Sequence, residues 1–279
     1  MLTVQQLRQD ARRRPPPSLH QRYQAYVMER IEQFKNSLTR AELYRFADEA
    51  MREALAAREG QFFLTEVIAN EMVDDLIVRR LRLPAYKRWR EQFARRRKAQ
   101  QEPTHWGVGA SSPVATLLPR MEPGDHALVI GAGAEPCAYL LAAFDVEVLF
   151  LDDDCGYLDR VETRAATESL AGLVSTSTID WGCRPGAPRT GFPLVVIDVA
   201  SLADREAQVR RELLEALQQH TLPGGVHVLL RSGGALAPEA VLGSYGSWER
   251  EGDARGPRTD GWVLVKPAPL PAGEAARTA

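Results

Sequence analysis

The stretch HALVIGAGAEPCAYLLAAFDVEVLFLDDD, His126–Asp154, decides how the second half of the chain folds. An apolar run breaks at Gly131 and Gly133, resumes as a small-residue helical segment, and returns as a second apolar run ending in Asp152, Asp153 and Asp154. Two short β-rich runs separated by a helix predict neighbouring strands of a parallel sheet. The glycine pair falls at the strand-to-helix turn, so backbone amides and a helix N-terminus meet at the carboxyl edge of that sheet. Such edges hold nucleotide-like ligands. A glycine there leaves room for close approach, so a β-branched residue at Gly131 is expected to block a ligand and leave folding alone. A tight turn that holds no ligand is the competing reading.

The same rhythm continues outward. LVSTSTI (173–179), FPLVVIDV (192–199), GGVHVLLR (224–231) and GWVLVKP (261–267) read as strands, and DREAQVRRELLEALQQHTL (204–222) as an amphipathic helix. TLPGGVHVLL, Thr221–Leu230, places a turn before a late strand. Residues 113–267 are thus predicted to form a doubly wound, mostly parallel α/β domain, with 268–279 (APLPAGEAARTA) a disordered tail.

The first 102 residues read instead as an N-terminal α-helical domain. Leu19, Tyr23, Tyr26, Val27, Phe34 and Leu38 recur at helical spacing, as do Leu43, Phe46, Ala47, Ala50, Met51, Ala54 and Leu55. TRAE, Thr39–Glu42, has the form of a capping box. A third helix puts Val67, Ile68, Met72 and Leu76 on one face and ends before Pro84. A fourth, opened by that proline, turns Tyr86, Trp89 and Phe93 inward. Residues 103–112 break the periodicity and serve as a linker.

The 279 residues are 44% hydrophobic and 26% charged, values of a water-soluble globular chain. No apolar run approaches the ~20 residues a bilayer requires, and the N-terminus lacks the apolar core of a secretory signal. Cys137, Cys155 and Cys183 lie far apart, with neither disulfide nor metal spacing. A cytoplasmic protein without a membrane partner is the expectation.

The net charge of −2 hides an asymmetry: residues 1–102 carry 21 Lys and Arg against 14 Asp and Glu, the remainder 14 against 23. KRWREQFARRRK, Lys87–Lys98, holds seven cations and one Glu around Trp89 and Phe93. It reads either as a nucleic-acid contact tracking phosphates or as a solvated outer face. Only four of the basic residues are lysine, a bias that codon usage explains as readily as phosphate recognition.

Taken in order, VIGAGAEP (129–136), the strand-end Asp152 in LFLDDDCGYLDRVE, Asp180 in STIDWG, FPLVVIDVASL with Asp198, and the Leu-Pro-Gly-Gly of 222–225 resemble the motifs of class I methyltransferases that use S-adenosyl-L-methionine (SAM). The resemblance covers about 113–267 and implies a Rossmann-like sheet and SAM as cofactor. It implies a cofactor site along Gly131, Ala132, Gly133, Asp152, Asp153, Asp180, Trp181 and Asp198, with the ribose on Asp152 and the adenine beside Asp180. It also implies a helical domain that caps the site and selects the acceptor. It names neither the acceptor nor a catalytic residue. Two positions depart from the family pattern. Val129 stands where the family usually has an acid near the methionine amino group, and Glu135 replaces the third glycine. Glu135 is a candidate to stand in for the missing acid.

Those departures support a second reading, a methyltransferase-like binding module without catalysis. A dinucleotide oxidoreductase ranks below both, because Pro136 occupies the place of the third small residue of that fingerprint. Asp152–Asp154 as a metal cluster has no partner His or Glu, and adjacent strand residues face opposite sides. His105 and Trp106 either reach over the cofactor or dock on the surface. His126, His220 and His227 read as strand and helix-end residues.

Overall fold

The computed structural model describes residues 17–56, 66–179, 191–231, 239–251 and 261–268. The chain forms two compact units, Met1–Arg96 and Arg97–Ala279.

The first unit is helical. Helix α1 (Leu19–Ser37) opens on a capping box in which Ser18 and Gln21 satisfy each other's backbone amides. Helix α2 (Arg40–Ala56) opens on the expected TRAE box: the Thr39 amide donates to Glu42 Oε2 at 2.8 Å, and the Glu42 amide returns a 3.4 Å bond to Thr39 Oγ1. Helices α3 (Glu66–Arg80) and α4 (Tyr86–Gln100) follow. Ile31, Phe46, Ala50, Leu76 and Ile77 form the core, edged by Val27, Phe34 and Val73. The buried face of α3 therefore centres on Leu76 and Ile77. Met72 is half-buried, and the side chains of Val67 and Ile68 lie outside the described residues. Trp89 is buried and stacks on Phe93 at 5.0 Å, with Tyr23, Tyr26 and Tyr86 around it, which is the inward face expected of α4.

The second unit contains the last turn of α4 and a seven-stranded sheet of order β3-β2-β1-β4-β5-β7-β6. The strands are β1 (His126–Ile130), β2 (Glu147–Asp152), β3 (Val174–Thr178), β4 (Phe192–Asp198), β5 (Thr221–Leu230), β6 (Glu249–Glu251) and β7 (Gly261–Val265). The first five are parallel; β7 runs antiparallel to β5, and β6 antiparallel to β7. This is the doubly wound α/β class expected. The order reverses direction between β1 and β4, which puts the switch point at the glycine turn. The dinucleotide-binding order would continue past β5 with a sixth strand; the antiparallel β7 takes that place.

Alternation along β1 divides the core. Ala127 and Val129 face one side with α5 (Pro113–Leu117), α6 (Glu135–Ala143) and α7 (Cys155–Thr167), while Leu128 and Ile130 face α8 (Ala207–His220) and α9 (Glu239–Leu242) on the other. Helix α6 is buried from Cys137 to Ala143, which is why its sequence is almost wholly apolar and small. Residues 103–112, expected as a linker, are packed into this unit: Trp106, Val108 and Ser112 are all buried. The turn expected before the late strand lies inside β5 as an interruption. Pairing with β4 jumps from Phe192↔Thr221 to Leu194↔Val226, so Leu222–Gly225 loop out with Gly224 at φ 74°. Strand β6, with no apolar residue, was not expected. Residues 269–279, read as a tail, lie outside the described residues.

Candidate functional site

The glycine turn is built as a buried floor with an exposed rim. Gly131 adopts φ 89°, which an L side chain rarely takes, and its amide donates to Leu151 O at 3.0 Å, tying the end of β1 to β2. A Cβ on Gly131 would meet Ser201 Cβ and Oγ at 2.8 Å and Asp198 Cβ at 3.0 Å. The missing side chain makes room for the protein's own chain after β4, which corrects the expectation that a side chain here would obstruct only a ligand. Ala132 and Gly133 form the exposed rim.

Asp198 ends β4, 4% exposed, and its carboxylate faces this turn. Oδ2 accepts the Gly133 amide at 2.9 Å, and Oδ1 accepts the Ala200 amide at 3.0 Å, capping the 3₁₀ turn Val199–Leu202. One amide of the rim is therefore already bonded to an anion.

The three aspartates after β2 do three separate jobs. Asp154 caps α7, accepting the Gly156 amide at 2.8 Å and the Tyr157 amide at 3.1 Å. Asp153 pairs with Arg205, which follows β4, so strand ends on either side of β1 are linked by an ion pair. Asp152 is 9% exposed, and its Oδ1 accepts the Asp154 amide at 3.0 Å. Among the described residues it makes no ion pair. Burial pushes its carboxyl up from the ordinary carboxylate value, with the Asp154 amide opposing and the Asp153 charge reinforcing. A carboxylate has about four acceptor positions. The amides of its own turn leave capacity for further donors, and the hydroxyls of a vicinal diol fit that demand.

Sequence reasoning missed a clamp around Glu135. Its Oε1 accepts Tyr139 Oη at 2.8 Å and Arg164 Nη1 at 3.3 Å, and its Oε2 accepts Tyr157 Oη. Tyr157 Oη also lies 3.3 Å from Ala132 O, so the ring leans across the glycine turn. Both phenols are pushed well up, first by burial and then by bonding to the carboxylate. Glu135 is committed, and not spare for a ligand's ammonium as its position suggested. The signal was legible. Glu135 and Tyr139 stand at i and i+4, and a tyrosine in the first turn of α7 leans back toward the helix start, over the end of β2.

Asp180 and Trp181 lie outside the described residues. Trp106 is 5% exposed, packs 5.2 Å from Tyr139 and donates Nε1–H to Gln100 O at 2.7 Å, so it belongs to the core. His126 pairs with Glu147 at 3.2 Å, at the amino end of the strands. Both line a cleft of about 160 Å³ there, whose two ionisable groups are satisfied by each other.

A second polar cluster lies under β5. Thr221 Oγ1 donates to Leu217 O at 2.7 Å, which uses its only proton. The 2.6 Å contact from His227 Nε2 to Thr221 Oγ1 must then be donated by the imidazole, and Tyr245 Oη donates to Nδ1 at 2.8 Å. Lys266 Nζ donates to Gln218 O and Thr221 O at 2.6 and 2.7 Å. Burial, and then the Lys266 charge, push His227 down to about 3, so the ring is neutral.

No protein-family model and no curated protein matches the chain. Solved structures do resemble it. The glycopeptide N-methyltransferase MtfA, complexed with SAM, is 15% identical with a TM-score of 0.45, over 58% of this chain and 96% of that one. A putative rRNA-methylase from Clostridium thermocellum is 11% identical at 0.44, over 56% and 93%. A SAM-dependent methyltransferase from Thiobacillus denitrificans, in complex with S-adenosyl-L-homocysteine, is 20% identical at 0.36, over 48% and 54%.

Proposed function

We propose that the Arg97–Ala279 unit binds SAM at the carboxyl edge of its sheet and serves methyl transfer to an acceptor selected by the helical unit. The observation that carries this reading is Asp152, a nearly buried carboxylate at the carboxyl end of β2, beside the strand that bears the glycine turn, with no ion pair among the described residues and acceptor capacity to spare. Burying such a group is costly unless a ligand completes its hydrogen bonds, and a ribose diol does so. The fit holds at this end: Asp152 takes the hydroxyls, and the exposed Ala132–Gly133 rim lets the ligand lie close to the backbone. Asp180 and Trp181 keep the adenine side that the sequence resemblance implies. When bound, SAM supplies an electrophilic methyl group. The protein's part is to hold donor and acceptor in line.

Calorimetric titration with SAM and S-adenosylhomocysteine tests this. Binding by the parent, weakened about ten- to a hundredfold in Asp152→Ala through loss of bonds worth ~1.5–3 kcal/mol, supports it. Binding that Asp152→Ala leaves unchanged removes Asp152 from the site.

A non-catalytic binding module is the second reading, favoured by the closed state of the turn: Asp198 on the Gly133 amide, Ser201 under Gly131, and Glu135 engaged by two phenols and Arg164. It takes the lead if neither nucleoside compound binds.

The acceptor, or partner, that we propose is nucleic acid, through α4. Lys87, Arg88, Arg90, Arg95 and Lys98 are exposed and make no ion pair among the described residues, whereas Lys35, Arg79 and Arg80 are paired. Arg97 stands apart, held by Asp145 at 2.6 Å and Ala142 O at 3.1 Å. Changing Lys87, Arg88 and Arg95 to Gln is expected to flatten the salt dependence of RNA or DNA binding by roughly one unit of log–log slope per lost phosphate contact. A parent without salt-dependent binding leaves α4 a solvated face.

A further inference from the structure

Given a nucleoside at Asp152, as proposed above, the adjacent turn decides what the rest of the ligand can be. An α-amino-acid tail carries an ammonium, which needs an anion or several acceptors, and a carboxylate, which needs donors. Among the described residues, the side chains nearest the turn and the Gly133 amide are already engaged. The Gly133 amide donates to Asp198 at 2.9 Å, so a ligand carboxylate arriving there would face a carboxylate already in place. Asp198 itself is 4% exposed, with both oxygens accepting backbone amides. Glu135 is held by Tyr139, Tyr157 and Arg164. Val129 is buried and apolar. Ser201 donates its hydroxyl to Asp198 O at 2.7 Å.

We infer that this edge recognises its ligand by the nucleoside end alone, so that a zwitterionic tail adds no affinity. The ligand class is a nucleoside with a free 2′,3′-diol and a small, uncharged 5′ substituent, held as firmly as its amino-acid-bearing counterpart.

The experiment compares S-adenosylhomocysteine with 5′-methylthioadenosine, which keeps the nucleoside and sulfur but lacks the amino acid, by calorimetric titration of the full chain. Dissociation constants within fivefold of each other support the inference. Homocysteine-tail binding more than fivefold tighter overturns it and leaves the Asp152 reading standing. Binding of neither compound overturns both. Asp198→Ala then tests the cause. It frees the Gly133 amide and removes the blocking charge, so the preference for S-adenosylhomocysteine over methylthioadenosine is expected to rise at least tenfold. A folded variant, by circular dichroism, whose preference does not change would show that Asp198 is not what excludes the tail. Should that variant fail to fold, the parent's two constants still decide the inference.

Discussion

The turn around Asp152 and the chain through His227 are both made of polar groups withdrawn from water, on strands of one sheet. They differ in how their hydrogen bonds close. From Tyr245 through His227 and Thr221 to Leu217 O, each donor meets an acceptor and the ring needs no proton from outside. Asp152 ends in a carboxylate with acceptor capacity left over and no ion pair among the described residues. A closed polar chain stabilises a fold; one left with capacity at a sheet edge marks where a ligand would finish it.

Gly131→Val is expected to do the most damage. It forces a β-branched residue to φ 89° and drives a side chain into Ser201 and Asp198, at a cost of about 4 kcal/mol or more. A urea unfolding curve close to that of the parent would show that the chain after β4 yields to accommodate it.

His227→Phe comes next, at about 2–4 kcal/mol, since it takes away the acceptor of the Tyr245 hydroxyl proton and the donor to Thr221. Its signature is also in pH. His227 drops from an ordinary 6.5 to about 3 on folding. Between those values the unfolded state binds the extra proton, so the stability contributed is complete above about pH 6.5 and lost as pH falls toward 3. Asp152, raised by burial, answers with the opposite sign: its folded form holds the proton more tightly, so acid relieves its penalty. Unfolding free energies measured from pH 4 to 7 should fall toward acid less steeply in His227→Phe than in the parent, and more steeply in Asp152→Asn. Parallel profiles for all three proteins would dissolve the contrast.

Asp152→Ala is expected to alter binding and leave the unfolding midpoint nearly unchanged, the converse of His227→Phe. The smallest effect belongs to Arg97→Gln, about 1 kcal/mol of stability from the lost Asp145 pair, with no change in nucleic-acid affinity. A large drop in that affinity would return Arg97 to the phosphate-facing group.

Much of this layout was legible in the residues. Six of the seven strands between 126 and 265 announce themselves by β-rich runs, and the two-sided core follows from alternation along β1. Asp152 at a strand end and the glycine turn at the switch point were readable for the same reason. What hid was commitment: the Gly133–Asp198 bond joins residues 65 apart, and the Asp153–Arg205 pair residues 52 apart. No local pattern shows that an acid is already taken. Strand β6, Glu-Arg-Glu, has no strand signal of its own; pairing with β7 makes it a strand. Trp106 sits in a stretch rich in glycine and serine that reads as a loop, yet its indole is core.

The last turn of α4 has a bearing on how such a fold can be inherited. Arg97 binds Asp145 and Ala142 O, Gln100 binds Glu168, and Gln101 Nε2, just past the helix, reaches Ala143 O, so this turn and the residue after it stitch the ends of α6 and α7 to the entrance of the sheet unit. Asp145 there adopts φ 62°, a left-handed conformation that aspartate takes more readily than most side chains. The boundary between the two units therefore lies inside a helix rather than in the glycine-rich stretch that follows. A recombination joint at residue 103 would carry away three of the sheet's own fastenings with the preceding gene segment. Lineages that exchange their helical units should keep a short, arginine- and glutamine-bearing helical stub as part of the inherited sheet.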